Sequence, residues 1–179
     1  MREDLMLALR RGGIHPERLS AMQRILLTTD GTVTDMLEAF FREPMAVVPL
    51  AQDLVDSTEP MPELEVAAGH PVLVREILLS GKFSGRTALY ASTIIVLDRL
   101  TDHLRAGLLE KKQPIGQLLL NDKLETYREI IRCERRAAGK LASHFGCYDS
   151  APLLSRTYIV TLGGKGIMRI TERFPEYGM

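Results

Sequence analysis

The sequence lacks cysteine clusters, an excess of one charge and long apolar runs, and each absence excludes a class of protein. Cys133 and Cys147 lie far apart and form no Cys-x-x-Cys or Cys/His pattern, which argues against a metal site and a disulfide scaffold. The 23 basic residues balance the 23 acidic residues, so no overall field attracts nucleic acid or an anionic membrane. No apolar stretch reaches the length that spans a membrane. We therefore expect a cytoplasmic protein without a metal ion.

The length of 179 residues predicts a single domain over residues 1–179 that needs no disulfide for stability. The N-terminal part of the sequence has helical patterns. Residues 1–11 predict a short helix that Gly12 and Gly13 end, and two amphipathic patterns follow in ERLSAMQRILLTT and TVTDMLEAFFRE. Thr32 or Thr34 is placed to cap the last of them. Neither pattern carries a basic face, so we interpret this helical hairpin as packing rather than as a DNA-reading motif.

Strand patterns dominate the chain after Pro44. The predicted strands in the first half are residues 45–54, 72–79 and 87–97. Pro49 gives the first of them a kink or an edge position. The turn GKFSGR joins the other two in a hairpin. Helical patterns begin at Asp98 and again at Pro114.

Residues 124–136 fit two structures, because their apolar residues match both helical spacing and strand alternation. Four arginines in and around this segment, Arg128 among them, alternate with glutamates, which is typical of a solvated, self-paired face. The end of the chain is clearer, since residues 154–162 and 167–174 are β-rich runs joined by GGKG. Helices at the front and in the middle, with strands joined mainly by hairpins, predict an α+β fold with an antiparallel sheet.

The strand VLVREILL, at residues 72–79, carries one Arg-Glu pair among six aliphatic residues. Side chains alternate between the two faces of a strand, so Arg75 and Glu76 point to opposite sides. Placing Arg75 on the face of Ile77 and Leu79 directs a guanidinium into an apolar interior. A buried Arg needs an anion, which is either a carboxylate of this chain or a carboxylate of a ligand.

Several segments, in their order, resemble those of the chorismate pyruvate-lyase family. They are DGTVTDMLEAF, VLVREILLSG, YASTIIVLDRL, PIGQLLL, ETYREI and GKGIMRITERF, within residues 19–174. They are more similar to the archaeal and actinobacterial branch than to the bacterial ubiquinone branch. The resemblance implies a six-stranded antiparallel sheet with helical flaps over an enclosed ligand cavity, and it favours a strand for LETYREIIRC. It also implies conversion of chorismate to 4-hydroxybenzoate and pyruvate without a metal or an organic cofactor.

The resemblance assigns ligand binding to four residues of this sequence. Arg75 and Glu172 match the ligand-binding arginine and the carboxylate near the end of the last strand, and Val33 and Ile115 match contacts made by the flaps. We hypothesise that Arg75 anchors a substrate carboxylate, while Glu172 accepts a hydrogen bond from the ring hydroxyl and assists removal of the ring proton. The ubiquinone branch has Met and Leu at the two flap positions and an Arg in place of Ser92. These differences leave another substrate open.

Three alternatives stand beside this hypothesis. The first is purely structural, with Arg75 and Glu172 forming an ion pair on adjacent strands. The second is a small-molecule-sensing domain, because effector-binding domains of some bacterial transcription regulators are similar in fold. Against it, the stretch before the resemblance is too short for the winged helix of such regulators. The third is an enzyme retooled for another small carboxylate. We expect a small-molecule ligand and a monomer or homodimer.

Overall fold

The computed structural model describes residues 3–109, 115, 119 and 123–178, with a six-stranded antiparallel sheet at its centre. The strands are β1 (Met45–Asp56), β2 (Pro71–Gly81), β3 (Thr87–Ile95), β4 (Thr126–Ala137), β5 (Pro152–Leu162) and β6 (Lys165–Pro175). The helices are α1 (Glu3–Arg11), α2 (Ala21–Thr28), α3 (Val33–Phe41), α4 (Asp102–Leu109) and α5 (Ala142–Phe145). The predicted α+β fold with an antiparallel sheet is confirmed.

The sheet consists of two three-stranded meanders. Its strand order is β1-β2-β3-β6-β5-β4, so the meanders meet where residues 90–95 of β3 lie opposite residues 168–173 of β6. Gly163 and Gly164 close the β5–β6 hairpin with φ angles of 56° and 80°, a region that residues with a side chain rarely adopt. The two predicted hairpins are thus confirmed, and each belongs to a different meander.

The two edges of the sheet are β1 and β4. In β1 the register shifts between Pro49 and Ala51, because proline cannot donate a hydrogen bond to the neighbouring strand. The kink or edge position predicted at Pro49 is confirmed in both respects. The ambiguous segment 124–136 forms β4, with a register shift between Ile130 and Arg132. The strand that the family resemblance favours there is therefore correct.

The helices α1, α2 and α3 cover part of one face of the sheet, here called the inner face. Their Leu9, Leu26 and Leu37 are fully buried and join Leu79 and Leu89 of the sheet in one apolar cluster. This cluster forms the core at one end of the inner face.

Side-chain oxygens set where two of the helices begin. The hydroxyl of Ser20 accepts a hydrogen bond from the amide of Gln23, whose side-chain oxygen accepts one from the amide of Ser20, and this capping box starts α2. The helix predicted from Asp98 begins later, because the hydroxyl of Thr101 caps the amide of Leu104 and residues 97–99 form a separate 3-10 turn. Of the two capping threonines proposed for α3, Thr32 occupies the cap position but its hydroxyl makes no capping hydrogen bond.

The helix α4 covers the other end of the inner face. Its Leu104 and Leu108 are fully buried and pack against residues of β2, β3, β5 and β6 in a second apolar cluster. Ile115 and Leu119 belong to the same cluster, and both are helical. The remainder of the helix predicted from Pro114 falls outside the described residues.

The opposite, outer face is covered in part by residues 57–70. Met61 and Leu64 of this segment pack on the strands. Arg99 fastens the segment, since its Nη1 donates hydrogen bonds of 2.6 Å to the carbonyl oxygens of both Leu64 and Gly166. In the part of the chain that the structure describes, no helix has the length and apolarity needed to cross a membrane.

Candidate functional site

A cavity lies on the inner face between the two apolar clusters. Aliphatic side chains from β2, β3, β5 and β6 form most of its wall, and residues 31–34 at the start of α3 contribute to it. The space not filled by protein atoms measures 680 Å³, open solvent at the mouth included. Four side chains bring charge or a phenolic hydroxyl to the wall, namely Arg75, Arg128, Tyr158 and Glu172. An apolar cleft with a few convergent polar groups is the usual form of a small-molecule site.

Arg75 lies on β2, where its neighbours across the strands are Gln52 and Thr93. The side chain is 2% exposed and shares the cavity wall with Ile77 and Leu79, as the strand alternation predicted. Burial lowers the pKa of Arg75 from its ordinary value. That ordinary value is so far above neutral that the guanidinium keeps its charge. The cavity therefore has a positive group set into an apolar wall.

Glu172 lies on β6 and is buried. Its Oε2 accepts a hydrogen bond of 2.7 Å from Nε of Arg156, and its Oε1 accepts one of 3.0 Å from the hydroxyl of Tyr158. Each carboxylate oxygen has two lone pairs, so both can accept a further hydrogen bond. Glu172 is thus held in place from two sides and still able to receive a ligand hydroxyl.

Arg156 and Tyr158, on β5, hold this carboxylate and were not identified from the sequence. Arg156 is 2% exposed, and its Nη1 also donates a hydrogen bond of 2.6 Å to the carbonyl oxygen of Thr29. Burial is the largest single effect and would lower the pKa of Arg156, but the interactions with Glu172, Tyr158 and Cys133 together outweigh it and raise the pKa. Burial, together with Glu172, raises the pKa of Tyr158, so its hydroxyl stays a donor. Arg75 was identified because a single charge interrupts an apolar strand. The segment LLSRTYIVTL shows the same pattern, with Arg156 as its single charge.

The structure does not support an ion pair between Arg75 and Glu172 on adjacent strands. Arg75 is on β2 and Glu172 on β6, and β3 lies between these two strands. The ion pair of Glu172 is formed with Arg156 at 2.7 Å. The structural alternative was wrong in placing Arg75 and Glu172 on adjacent strands. Residue spacing along the chain does not reveal the order of strands in a sheet.

Both predicted flap residues line the cavity. Val33 is buried and begins α3, and Ile115 is helical and half-buried. Ser92 does not line the cavity. Its neighbours Ala91 and Thr93 do, and side chains alternate along a strand, so Ser92 points to the outer face of the sheet. The difference at Ser92 from the ubiquinone branch therefore does not alter the cavity wall.

Arg128 corrects the interpretation of the basic run on β4 as wholly solvated. It is half-buried, lines the cavity, and donates from Nη1 to the carbonyl oxygens of Asp30 at 2.7 Å and Gly31 at 2.8 Å. The alternation of β4 places it on the inner face. The other three arginines behave as predicted, since they are exposed and pair with glutamates. They are Arg132, Arg135 and Arg136.

The described residues of the cavity form no group of metal ligands. Within residues 3–109, 115, 119 and 123–178, no three His, Cys, Asp or Glu side chains are grouped as metal ligands would be. The one carboxylate on the described wall, Glu172, already accepts hydrogen bonds from Arg156 and Tyr158.

Comparison with known proteins identifies the family. The sequence profile described as chorismate pyruvate-lyase Rv2949c-like matches residues 27–177. The chain belongs to this family. A chorismate pyruvate-lyase of Mycobacterium leprae is 31% identical over 152 residues, which cover 84% of this chain and 72% of that protein. Another, from Mycobacterium tuberculosis, is 29% identical over 162 residues, covering 88% of this chain and 81% of that protein.

Solved structures of other proteins share the fold of this lyase-family member. The crystal structure of a GntR-family transcriptional regulator from Bacillus cereus superposes with a TM-score of 0.60 at 14% sequence identity. The match covers 75% of this chain and 94% of that one. At such low identity the likeness concerns the fold alone.

Proposed function

We propose that the protein is a chorismate pyruvate-lyase, which eliminates enolpyruvate from chorismate to give 4-hydroxybenzoate and pyruvate without a cofactor. The observation that carries the proposal is the cavity itself, because one apolar wall presents the buried Arg75 and the buried, hydrogen-bonded Glu172. Chorismate is a cyclic compound with two carboxylates and one ring hydroxyl. An arginine suits a carboxylate of such a ligand, and a carboxylate of the protein suits its hydroxyl.

Arg75 is proposed to anchor the ring carboxylate. A guanidinium binds a carboxylate through two parallel N–H donors, which fixes the orientation of the ring as well as its position. Hydrogen bonds to charged groups typically contribute about 1.5–3 kcal/mol net. This carboxylate is retained in 4-hydroxybenzoate, so Arg75 binds substrate and product alike.

Glu172 is proposed to accept a hydrogen bond from the ring hydroxyl and to assist loss of the proton from the same ring carbon. The electrons of that C–H bond form the last double bond of the aromatic ring. The neighbouring C–O bond breaks, and its electrons leave with enolpyruvate, which takes up a proton and becomes pyruvate. The hydrogen bonds from Arg156 and Tyr158 hold the carboxylate oriented for this role.

The reaction needs few catalytic groups because aromatisation supplies the driving force. The protein contributes chiefly by holding a reactive conformer among aliphatic walls and by stabilising charge as it develops. Val33 and Ile115 belong to the elements that cover the ring. Their aliphatic side chains line the cavity and would shield part of a bound ring from water.

A sensing domain is the second candidate, and the similarity in fold to a transcriptional regulator favours it. Such a domain would bind a small carboxylate without converting it. An enzyme of this family that acts on a different small carboxylate would likewise leave chorismate unconverted. Turnover of chorismate is therefore the measurement that tests the proposed lyase.

The test is to mix purified protein with chorismate and to follow 4-hydroxybenzoate and pyruvate by chromatography. Equal amounts of both are expected. Arg75→Met is expected to bind 4-hydroxybenzoate at least about tenfold more weakly than the wild type. The matched control is Arg132→Met, at an exposed position on β4. Tight binding of 4-hydroxybenzoate without turnover would favour the sensing domain or an enzyme for another small carboxylate. Unchanged binding by Arg75→Met would refute the anchoring role.

A further inference from the structure

We infer that Arg128 binds the second carboxylate of the substrate, the one on the enolpyruvyl group, and so makes the cavity selective for a dicarboxylate. This inference rests on the proposed function, which it deepens. The strand pattern marked Arg128 as part of a solvated face, whereas its guanidinium lines the cavity.

The hydrogen bonds of Arg128 leave its carboxylate-binding edge open. Nη1 carries two hydrogens, and the carbonyl oxygens of Asp30 and Gly31 accept one each. Nε and Nη2 have no hydrogen-bond partner among the described residues. These two nitrogens form the side-on fork through which arginine binds a carboxylate with two parallel hydrogen bonds. The existing contacts therefore orient the guanidinium without using the fork.

The charge of Arg128 also lacks a counterion within the described part of the chain. Its contacts there are two neutral carbonyl groups, and the one carboxylate on the described cavity wall, Glu172, is already paired with Arg156. A half-buried cation held by neutral dipoles attracts an anionic ligand. Carboxylate is the anion that the proposed substrate provides.

The sheet places Arg128 where a second carboxylate is needed. Glu172 lies on β6, with Arg75 two strands away on β2 and Arg128 two strands away on β4, on the opposite side. Each arginine is about 10 Å from Glu172 across the strands. Along the strands both are displaced towards the same end of the sheet, since Arg75 is level with Ile170 and Arg128 is level with Met168. A ring whose hydroxyl meets Glu172 can thus direct its own carboxylate to Arg75 and a side-group carboxylate to Arg128.

Selectivity for substrate over product follows from this arrangement. The enolpyruvyl carboxylate leaves as part of pyruvate, and 4-hydroxybenzoate retains only the ring carboxylate. Arg128 consequently stabilises bound substrate and contributes nothing to bound product. Its contacts to Asp30 and Gly31 persist in both states and hold the chain just before α3.

The experiment compares Arg128→Gln, Arg128→Lys and the control Arg132→Gln, an exposed arginine on the same strand. For Arg128→Gln we expect KM for chorismate to rise at least about tenfold, while Kd for 4-hydroxybenzoate stays within about twofold. Arg128→Lys restores part of the loss because it keeps the charge. Arg132→Gln leaves both constants unchanged. Thermal unfolding of each variant checks that the fold is retained.

Two outcomes would overturn the inference. Equal weakening of chorismate and 4-hydroxybenzoate would mean that Arg128 only holds the chain at Asp30 and Gly31. An unchanged KM would mean that it does not bind substrate. If the wild type fails to convert chorismate, the proposed function fails separately. Calorimetric titration with chorismate then decides the inference. The inference stands if Arg128→Gln binds chorismate more weakly than the wild type and Arg132→Gln do. It falls if Arg128→Gln binds chorismate as tightly as the wild type, or if neither protein binds it.

Discussion

The hydrogen-bonded polar side chains of β5 and β6 are buried on the inner face of the sheet and partly exposed on the outer face. On the inner face, Glu172, Arg156 and Tyr158 are all buried and satisfy one another by hydrogen bonds. On the outer face, the hydroxyls of Thr157 and Thr171 lie 3.0 Å apart, and both residues remain partly exposed. Similar contacts are therefore made in two different environments.

This difference determines what each contact is worth. A buried charge depends on its partner because water cannot replace that partner when it is removed. A group on the partly exposed face exchanges its partner for water at little cost. Substitutions of one chemical kind should consequently have large effects on the inner face and small effects on the outer face.

The largest effect is expected from Glu172→Ala. It leaves the buried guanidinium of Arg156 without a carboxylate, so the free energy of unfolding should fall by about 3–5 kcal/mol. Urea denaturation measures this, with Glu129→Ala on an exposed position of β4 as the control, expected to cost about 0.5 kcal/mol or less. Replacing both Glu172 and Arg156 by Leu should cost less than Glu172→Ala. Equal losses for Glu172→Ala and Glu129→Ala would contradict the contrast between the faces.

A smaller loss is expected from Tyr158→Phe. The substitution removes the hydroxyl that donates to Oε1 of Glu172 and leaves the ring in place, so about 1.5 kcal/mol or more of unfolding free energy should be lost. Thr171→Val removes the outer-face hydroxyl contact and should cost about 1 kcal/mol or less. The same denaturation series measures both. A larger loss for Thr171→Val would show that exposure does not govern these costs.

The last prediction concerns the reactivity of the two thiols and involves no change in stability. Cys133 is 2% exposed, and burial raises its pKa to about 11, so the thiol stays protonated at pH 8. Cys147 is half-buried and reachable. We expect Ellman's reagent to modify one thiol rapidly in the native protein and two in urea, with Cys147→Ser removing the rapid phase. Two rapid phases in the native protein would show that the core around Cys133 opens.

Arg75 and Glu172 could be predicted for different reasons. Arg75 stands out because one charge interrupts an aliphatic strand, and alternation then fixes the face to which it points. Glu172 was singled out by resemblance to a family. Its partners Arg156 and Tyr158 were missed although their strand carries the same signal as that of Arg75.

Arg128 shows what residue spacing alone cannot give. In the sequence it belongs to a run of alternating charges, which is typical of a solvated face. Its environment depends on β4 being a strand and on the register shift after Ile130, and the local pattern fits a helix equally well. The partner of Glu172 is hidden for a related reason, because strand order is a property of the whole sheet.

The junction of the two meanders has a consequence for how the protein folds. Each meander is built from contacts between neighbouring segments, which are quick to make, whereas β3 and β6 are distant in the chain, so we expect them to pair late. Arg75 comes from the first meander, and Glu172 and Arg128 come from the second. The cavity is therefore created only when the halves dock. A chain stalled before that step would have nearly all of its secondary structure and no ligand affinity.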